Sequence, residues 1–239
     1  MPNDNLHARI EGPVVIVGFG SIGKGTLPLI ERHLMYDANQ LTVVDPSPAA
    51  GRFLAQHRIR HLKTAVTADN HRELLAGLFP PVRSGPGFLV HLSVDTSSLD
   101  LMRWCRANGV LYIDTVVEPW AGFYFDTRDN AARTNYALRQ AVRDEKARHP
   151  GGTTAVSCCG ANPGMVSWFV KEALLRLAAD TGRPATPPAG REGWARLMQS
   201  LGVKGVHIAE RDTQARRVPR PRGTFVNTWS VDGFIAEGF

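Results

Sequence analysis

The chain has 239 residues, 43% of them hydrophobic, with 28 lysines and arginines against 22 aspartates and glutamates for a net charge of +6. That length suits one large α/β domain, or one domain with part of another. No apolar run reaches the ~18 residues that cross a bilayer. The polar residues 1–11 carry no signal-peptide pattern, and three cysteines, two of them the adjacent Cys158 and Cys159, make no disulfide framework. The expected location is cytoplasmic, with no membrane partner.

Strand-like and helical runs alternate along the chain. Residues 13–17 are expected as the first strand and 21–34 as a helix with apolar Ile22, Leu27, Leu29, Ile30 and Leu34. A second strand is expected at 41–44, a weaker third at 61–66, and a helix at 69–78. Residues 87–94 follow as a strand, 98–107 as a helix stopped by Asn108-Gly109, and 110–113 as another strand. A long helix over 133–148, a strand over 153–158 and an amphipathic helix over 162–179 complete the series. Short apolar strands alternating with helices imply an α/β fold, a doubly wound parallel sheet of the Rossmann type. This domain is assigned to residues 1–181.

Residues 182–191 are rich in Pro, Gly and Ala and are expected as a linker or loop. A short helix at 192–201 and strand-like segments at 203–209 and 224–231 follow, then the run Phe234-Ile235. Residues 182–239 therefore look like the start of a second, mixed α+β domain, incomplete because no closing element follows. The basic cluster Arg211, Arg216, Arg217, Arg220 and Arg222, interleaved with Pro219 and Pro221, is expected as a solvated, proline-stiffened loop. No nucleic-acid-binding motif accompanies it.

The first turn carries the firmest motif. Gly18, Gly20 and Gly23 in Gly18-Phe19-Gly20-Ser21-Ile22-Gly23 fit G-x-G-x-x-G between an apolar strand and a helix. The first glycine permits the tight turn, the second lets backbone approach a pyrophosphate, and the third lets helix and strand pack closely. The helix N-terminus offers N–H groups and partial positive charge to phosphates. Asp45 lies 22 residues beyond Gly23 at the end of the second strand, placed to accept hydrogen bonds from ribose hydroxyls. Its charge would repel a 2′-phosphate, so NAD is favoured over NADP.

Three further segments sit where strands end, the side on which such sheets bind ligands. They are Ser93-Val94-Asp95-Thr96-Ser97-Ser98, Thr115-Val116-Val117-Glu118-Pro119-Trp120 and Cys158-Cys159-Gly160-Ala161-Asn162-Pro163-Gly164. Structural roles stay open for each. Asp95, Thr96 or Ser97 can cap the next helix, Asn162-Pro163 suits an N-cap and N1 pair, and Cys158 and Cys159 can be small buried residues. The late segments 206–214 and 227–238 hold Glu210, Asp212, Trp229, Asp232 and Glu237, which also suit half-exposed strands.

Taken in order, these strings resemble the bacterial homospermidine synthases of the saccharopine-dehydrogenase-like group. The resemblance runs from about His7 to the last residue and is most specific at residues 18–23, 92–98, 112–120, 155–165, 208–214 and 227–234. It implies an enzyme that joins two putrescines into homospermidine and releases ammonia. One putrescine gives hydride to a resident NAD⁺ and becomes an imine. The second amine attacks, ammonia leaves, and the new imine takes the hydride back. By matching position, Glu210 and Glu237 would hold ammonium groups, and one would shuttle protons. The Trp229 ring face would stabilise a cationic amine by about 0.5–2 kcal/mol. Asn162 and Glu118 would lie where substrate meets the nicotinamide. Ser21, Ile22, Ser93, Asp95, Thr96, Thr115, Cys158 and Gly160 join Gly18, Gly20, Gly23 and Asp45 as cofactor contacts, and no metal is implied.

Members of the family are about twice as long and would be homodimers at full length. The resemblance therefore implies an N-terminal half, with the rest of the substrate domain and a histidine lying outside it, and leaves the activity of this chain alone open. Two alternatives stand beside it: a saccharopine-type amine or amino-acid dehydrogenase that releases NADH, and a non-catalytic NAD-binding fragment. No clear arginine pair for a substrate carboxylate is present, which speaks against the first.

Overall fold

Val14, Val15, Ile16 and Val17 form a strand, β1, in which every side chain is buried. Such a run, apolar on both faces, fits only the middle of a sheet covered on both sides. The computed structural model places it there, and describes residues 6–81, 85–126, 129–184, 186–211, 213, 218–226 and 231–236. Among them, β1 pairs in parallel with β2 (Leu41–Val44) on one side and β4 (Phe88–His91) on the other. β3 (Arg60–Leu62) lies outside β2, while β5 (Leu111–Asp114) and β6 (Ala155–Val156) continue beyond β4. The order β3-β2-β1-β4-β5-β6 is that of dinucleotide-binding sheets, with its topological switch between β1 and β4.

Side-chain alternation along the strands splits the core in two. Val15, Val17, Leu89 and Tyr112 face a cluster with Leu75 and Leu78 of α3 (His71–Leu78) and Leu101, Met102 and Cys105 of α4 (Ser98–Ala107). Val14, Ile16, Leu41, Val43 and Val90 face the other, with Leu27 and Ile30 of α1 (Ser21–His33) and Leu54 of α2 (Gly51–Gln56). The doubly wound expectation holds. Ile22 and Leu29 depart from it, since both are exposed on α1. The helix α2 and a two-residue parallel ribbon, Ala8–Arg9 with Leu34–Met35, were not expected.

The remaining α-helices among the described residues are α5 (Phe123–Asp126), α6 (Asn135–Arg148), α7 (Met165–Asp180), α8 (Gly190–Ser200) and α9 (Val231–Ala236). The strands expected at 203–209 and 224–231 do not form among the described residues. Residues 203–211 and 224–226 are irregular, and Val231 opens α9 instead. A strand needs a partner to satisfy its ladder, and apolar Val206 and Ile208 stand exposed here. By contacts the chain divides into two units, Met1–Ser157 with Phe225–Phe239, and Cys158–Thr224. Composition shifts later, near residue 181, because α7 is as apolar as the helices that flank the sheet. Among the described residues no helix is long and apolar enough to cross a membrane.

Candidate functional site at the carboxyl ends of the strands

The turn after β1 tests each glycine separately. Gly18 has φ +90°, and a Cβ on it would lie 2.5 Å from the Ser93 backbone nitrogen. A Cβ on Gly23 would lie 2.7 Å from the Gly18 carbonyl oxygen. Both therefore serve packing, one of the chain after β4 and the other of helix on turn. Gly20 differs, because nothing lies within 4 Å of its Cβ direction. It is exposed at the mouth of α1 beside exposed Ser21 and Ile22. Open backbone at a 13-residue helix N-terminus is where a pyrophosphate fits.

Asp45 completes the turn. Its Oδ2 accepts the Phe19 backbone N–H at 2.6 Å, and its Oδ1 accepts the Ser47 N–H at 2.8 Å. The carboxylate is thus fixed against the glycine turn, half-buried, with lone pairs left for further donors.

The loop after β4 resolves its capping question. Ser97 caps α4, its Oγ accepting the Asp100 N–H at 3.2 Å. Asp95 does not cap; it sits exposed at φ +57°. Thr96 is buried and turns its hydroxyl inward, toward the Val94 carbonyl and Ser93 Oγ at 3.3 Å each. It shapes the loop. Ser93 and Thr115 are half-buried at the strand ends.

Below these loops lies a polar chain that sequence reasoning passed over. Tyr112, Asp114 and His91 are each 2% exposed or less. Tyr112 Oη donates to Asp114 Oδ2 at 2.8 Å, so its oxygen accepts from His91 Nδ1, also at 2.8 Å. That assigns the Nδ1–H tautomer to the imidazole. Ser157 Oγ donates to Asp114 from the other side at 2.8 Å. Burial pushes His91 down to about 4, against the opposing pull of the Ser93 backbone, so the ring is neutral. The available signal was two polar residues, 112 and 114, on one face of an otherwise apolar strand.

Ser98 links this chain to Glu118. Its Oγ donates to the Val116 carbonyl at 3.2 Å and accepts the Glu118 N–H at 3.0 Å, and its own N–H reaches the Glu118 carbonyl at 2.8 Å. Glu118 is 8% exposed. Burial first, then the charges of Asp95, Asp114 and Asp232 of α9, push its carboxyl up to about 7 against an opposing hydrogen bond from the Asp95 backbone. Asp95, though exposed as a residue, is itself raised by partial desolvation of its carboxyl and by Asp232. The fold therefore brings Asp95, Glu118 and Asp232 into one electrostatic neighbourhood, poor in water around Glu118. Such a place favours a cation or a proton.

The Cys158–Thr224 unit carries the other expected residues. Cys158 is half-buried at φ +60°, and Cys159 is exposed. Asn162 is exposed and does not cap α7, which begins at Met165 with Gly164 as its N-cap and no side-chain cap bond. A tight loop takes that place. Gly160 donates to the Pro163 carbonyl and its own carbonyl accepts from Met165, both at 2.9 Å, and the Asn162–Pro163 bond is cis. Glu210 is exposed in irregular chain. Trp229, Glu237 and Asp212 lie outside the described residues. Among the described residues no group of three or more His, Cys, Asp or Glu could hold a metal ion.

Comparison with known proteins agrees with this geometry. The homospermidine synthase of Blastochloris viridis is 60% identical over 98% of this chain and 49% of its own length. That of Mesorhizobium japonicum is 58% identical over 100% of this chain and 50% of its own. The chain thus spans about half the length of these curated relatives. A crystal structure of homospermidine synthase from Legionella pneumophila in complex with NAD superposes with a TM-score of 0.81 at 34% identity, over 98% of this chain and 48% of that one. Residues 14–156 match the family model described as the saccharopine dehydrogenase NADP binding domain. This chain, with its glycine turn and parallel sheet, belongs to that family.

Proposed function

We propose that this chain supplies the dinucleotide-binding half of a homospermidine synthase, which joins two putrescines with loss of ammonia. The observation that carries this is the 60% identity to a homospermidine synthase across 98% of the chain. The open backbone at Gly20, with Ser21 and Ile22 beside it, would cradle the pyrophosphate of NAD between strand-fixed Gly18 and Gly23. Asp45 would take the ribose hydroxyls and disfavour a 2′-phosphate. Ser93, Asp95, Thr115, Cys158 and Gly160 would line the remainder, with Thr96 holding the loop. Bound NAD supplies hydride acceptance and return, leaving no net redox change.

The chain's own residues handle the diamine's charge. Putrescine is a dication, and a protein of net charge +6 attracts it only through local carboxylates. Glu118, with a carboxyl near neutrality, would take a proton from an ammonium group and return one to a leaving amine. Asp95 would hold a neighbouring positive charge. Glu210, Glu237, Trp229 and Asn162 would hold and stabilise the second amine, with residues 182–239 belonging to a substrate domain. We place the protein in the cytoplasm, consistent with its three free cysteines, as a homodimer at full length.

A chimera of this chain with the second half of the Blastochloris viridis enzyme tests the reading. Putrescine and NAD⁺ should yield homospermidine by mass spectrometry. No product, under conditions where the parent enzyme makes it, overturns the proposal. A steady rise at 340 nm without homospermidine would favour the dehydrogenase reading that the family's description suggests.

A further inference from the structure

α7 is apolar on nearly every side: among its 16 residues are Met165, Val166, Trp168, Phe169, Val170, Leu174, Leu175 and Leu177. Helices of that kind are interior helices. Here only Leu174 and Ala178 are buried, while Trp168 is 68%, Phe169 56%, Met165 52% and Leu177 38% exposed. Met165, Phe169, Ala173 and Leu177 recur every four residues, so they form one stripe along one face.

Charged residues border this face. Glu172 accepts from Arg176 at 2.6 Å one turn apart, and the Lys171 ammonium lies 4.3 Å from the Trp168 ring centroid and 5.5 Å from that of Trp194 on α8. An exposed apolar stripe rimmed by charged residues is the signature of an interface.

We propose that the Met165–Trp168–Phe169–Leu177 face of α7 is a docking surface for polypeptide of the kind that forms the second half of homospermidine synthases. The relatives, matched along almost this whole chain, carry as much polypeptide again, and the match covers 48% of the solved Legionella chain. That second half is the occupant available to an otherwise interior helix. This rests on the reading of the chain as the first half of such an enzyme.

Co-expression of this chain with the tagged second half of the Blastochloris viridis enzyme decides it. The two should purify as a one-to-one complex, and amide exchange along α7 should slow on association. Phe169→Lys with Leu177→Lys, at exposed positions, should keep the circular dichroism of the free chain and weaken the complex by at least about tenfold. Phe169→Ala should weaken it less. Absence of a complex, a complex indifferent to these substitutions, or a self-dimer of this chain abolished by them would each overturn the proposal.

Discussion

The carboxylate of Asp45, at the end of β2, accepts the backbone N–H of Phe19 in the glycine turn at 2.6 Å. One acidic side chain thereby fixes the loop that faces the phosphates, and a single substitution should be felt twice. Asp45→Asn should lower NAD⁺ affinity by about tenfold or more, because a charge-assisted hydrogen bond is worth about 1.5–3 kcal/mol. It should also narrow the preference for NAD⁺ over NADP⁺. Isothermal titration with both dinucleotides measures the two effects.

Gly18 and Gly20 should separate stability from binding. Gly18→Ala places a Cβ at φ +90° and 2.5 Å from the Ser93 backbone. The backbone conformation alone costs about 1–2 kcal/mol, so urea unfolding should show at least that loss. Gly20→Ala meets nothing within 4 Å. Its stability should stay within about 0.5 kcal/mol of the parent, while dinucleotide affinity falls.

Glu118 and His91 should give opposing pH dependences. Glu118 is raised from 4.5 to about 7, so the folded state binds more protons than the unfolded one in that window. Its contribution is present in full below pH 4.5 and is lost as the pH rises through 7. His91 is lowered from 6.5 to about 4, and its contribution is present above 6.5 and lost as the pH falls through 4. The parent should show the two partly cancelling. Glu118→Gln should remove the first, on the order of 3 kcal/mol, leaving stability that rises between pH 4 and 6.5. Denaturant melts across that range check the sign.

Tyr112→Phe removes the hydroxyl between His91 and Asp114 while keeping the ring. It leaves the buried imidazole Nδ1 with only the more distant Ser98 Oγ, at 3.4 Å, and deprives Asp114 of one donor. A loss of about 1–3 kcal/mol is expected, with NAD⁺ affinity changed far less than by Gly20→Ala. Equal loss of binding in both variants would refute the separation of core network from cofactor turn.

Much of the sheet was legible because its strands are short, apolar and punctuated by glycine and caps. Residues 14–17, 41–44 and 88–91 lie within the expected strands, and Ser97 and Thr134 begin α4 and α6 as side-chain caps. Among the described residues of 203–209 and 224–231 no strand forms, because alternation signals a half-buried surface, not the presence of a neighbour. The capping role left open for Asn162 is not taken up because Asn162 sits inside the tight loop closed by Gly160 and Gly164, and Gly164 is the N-cap of α7.

By itself the sequence determined the local and periodic features: the glycine turn, the acidic residue that follows it, the parallel sheet and the apolar helices. Each of these depends on residues close in the chain or on a repeating pattern. Only the tertiary structure decided that Gly20 is the glycine with open space, that Asp45 braces Phe19, and that Glu118 is held near neutrality beside Asp95 and Asp232. Those properties come from burial and from charges far apart in sequence, which three-dimensional packing alone brings together.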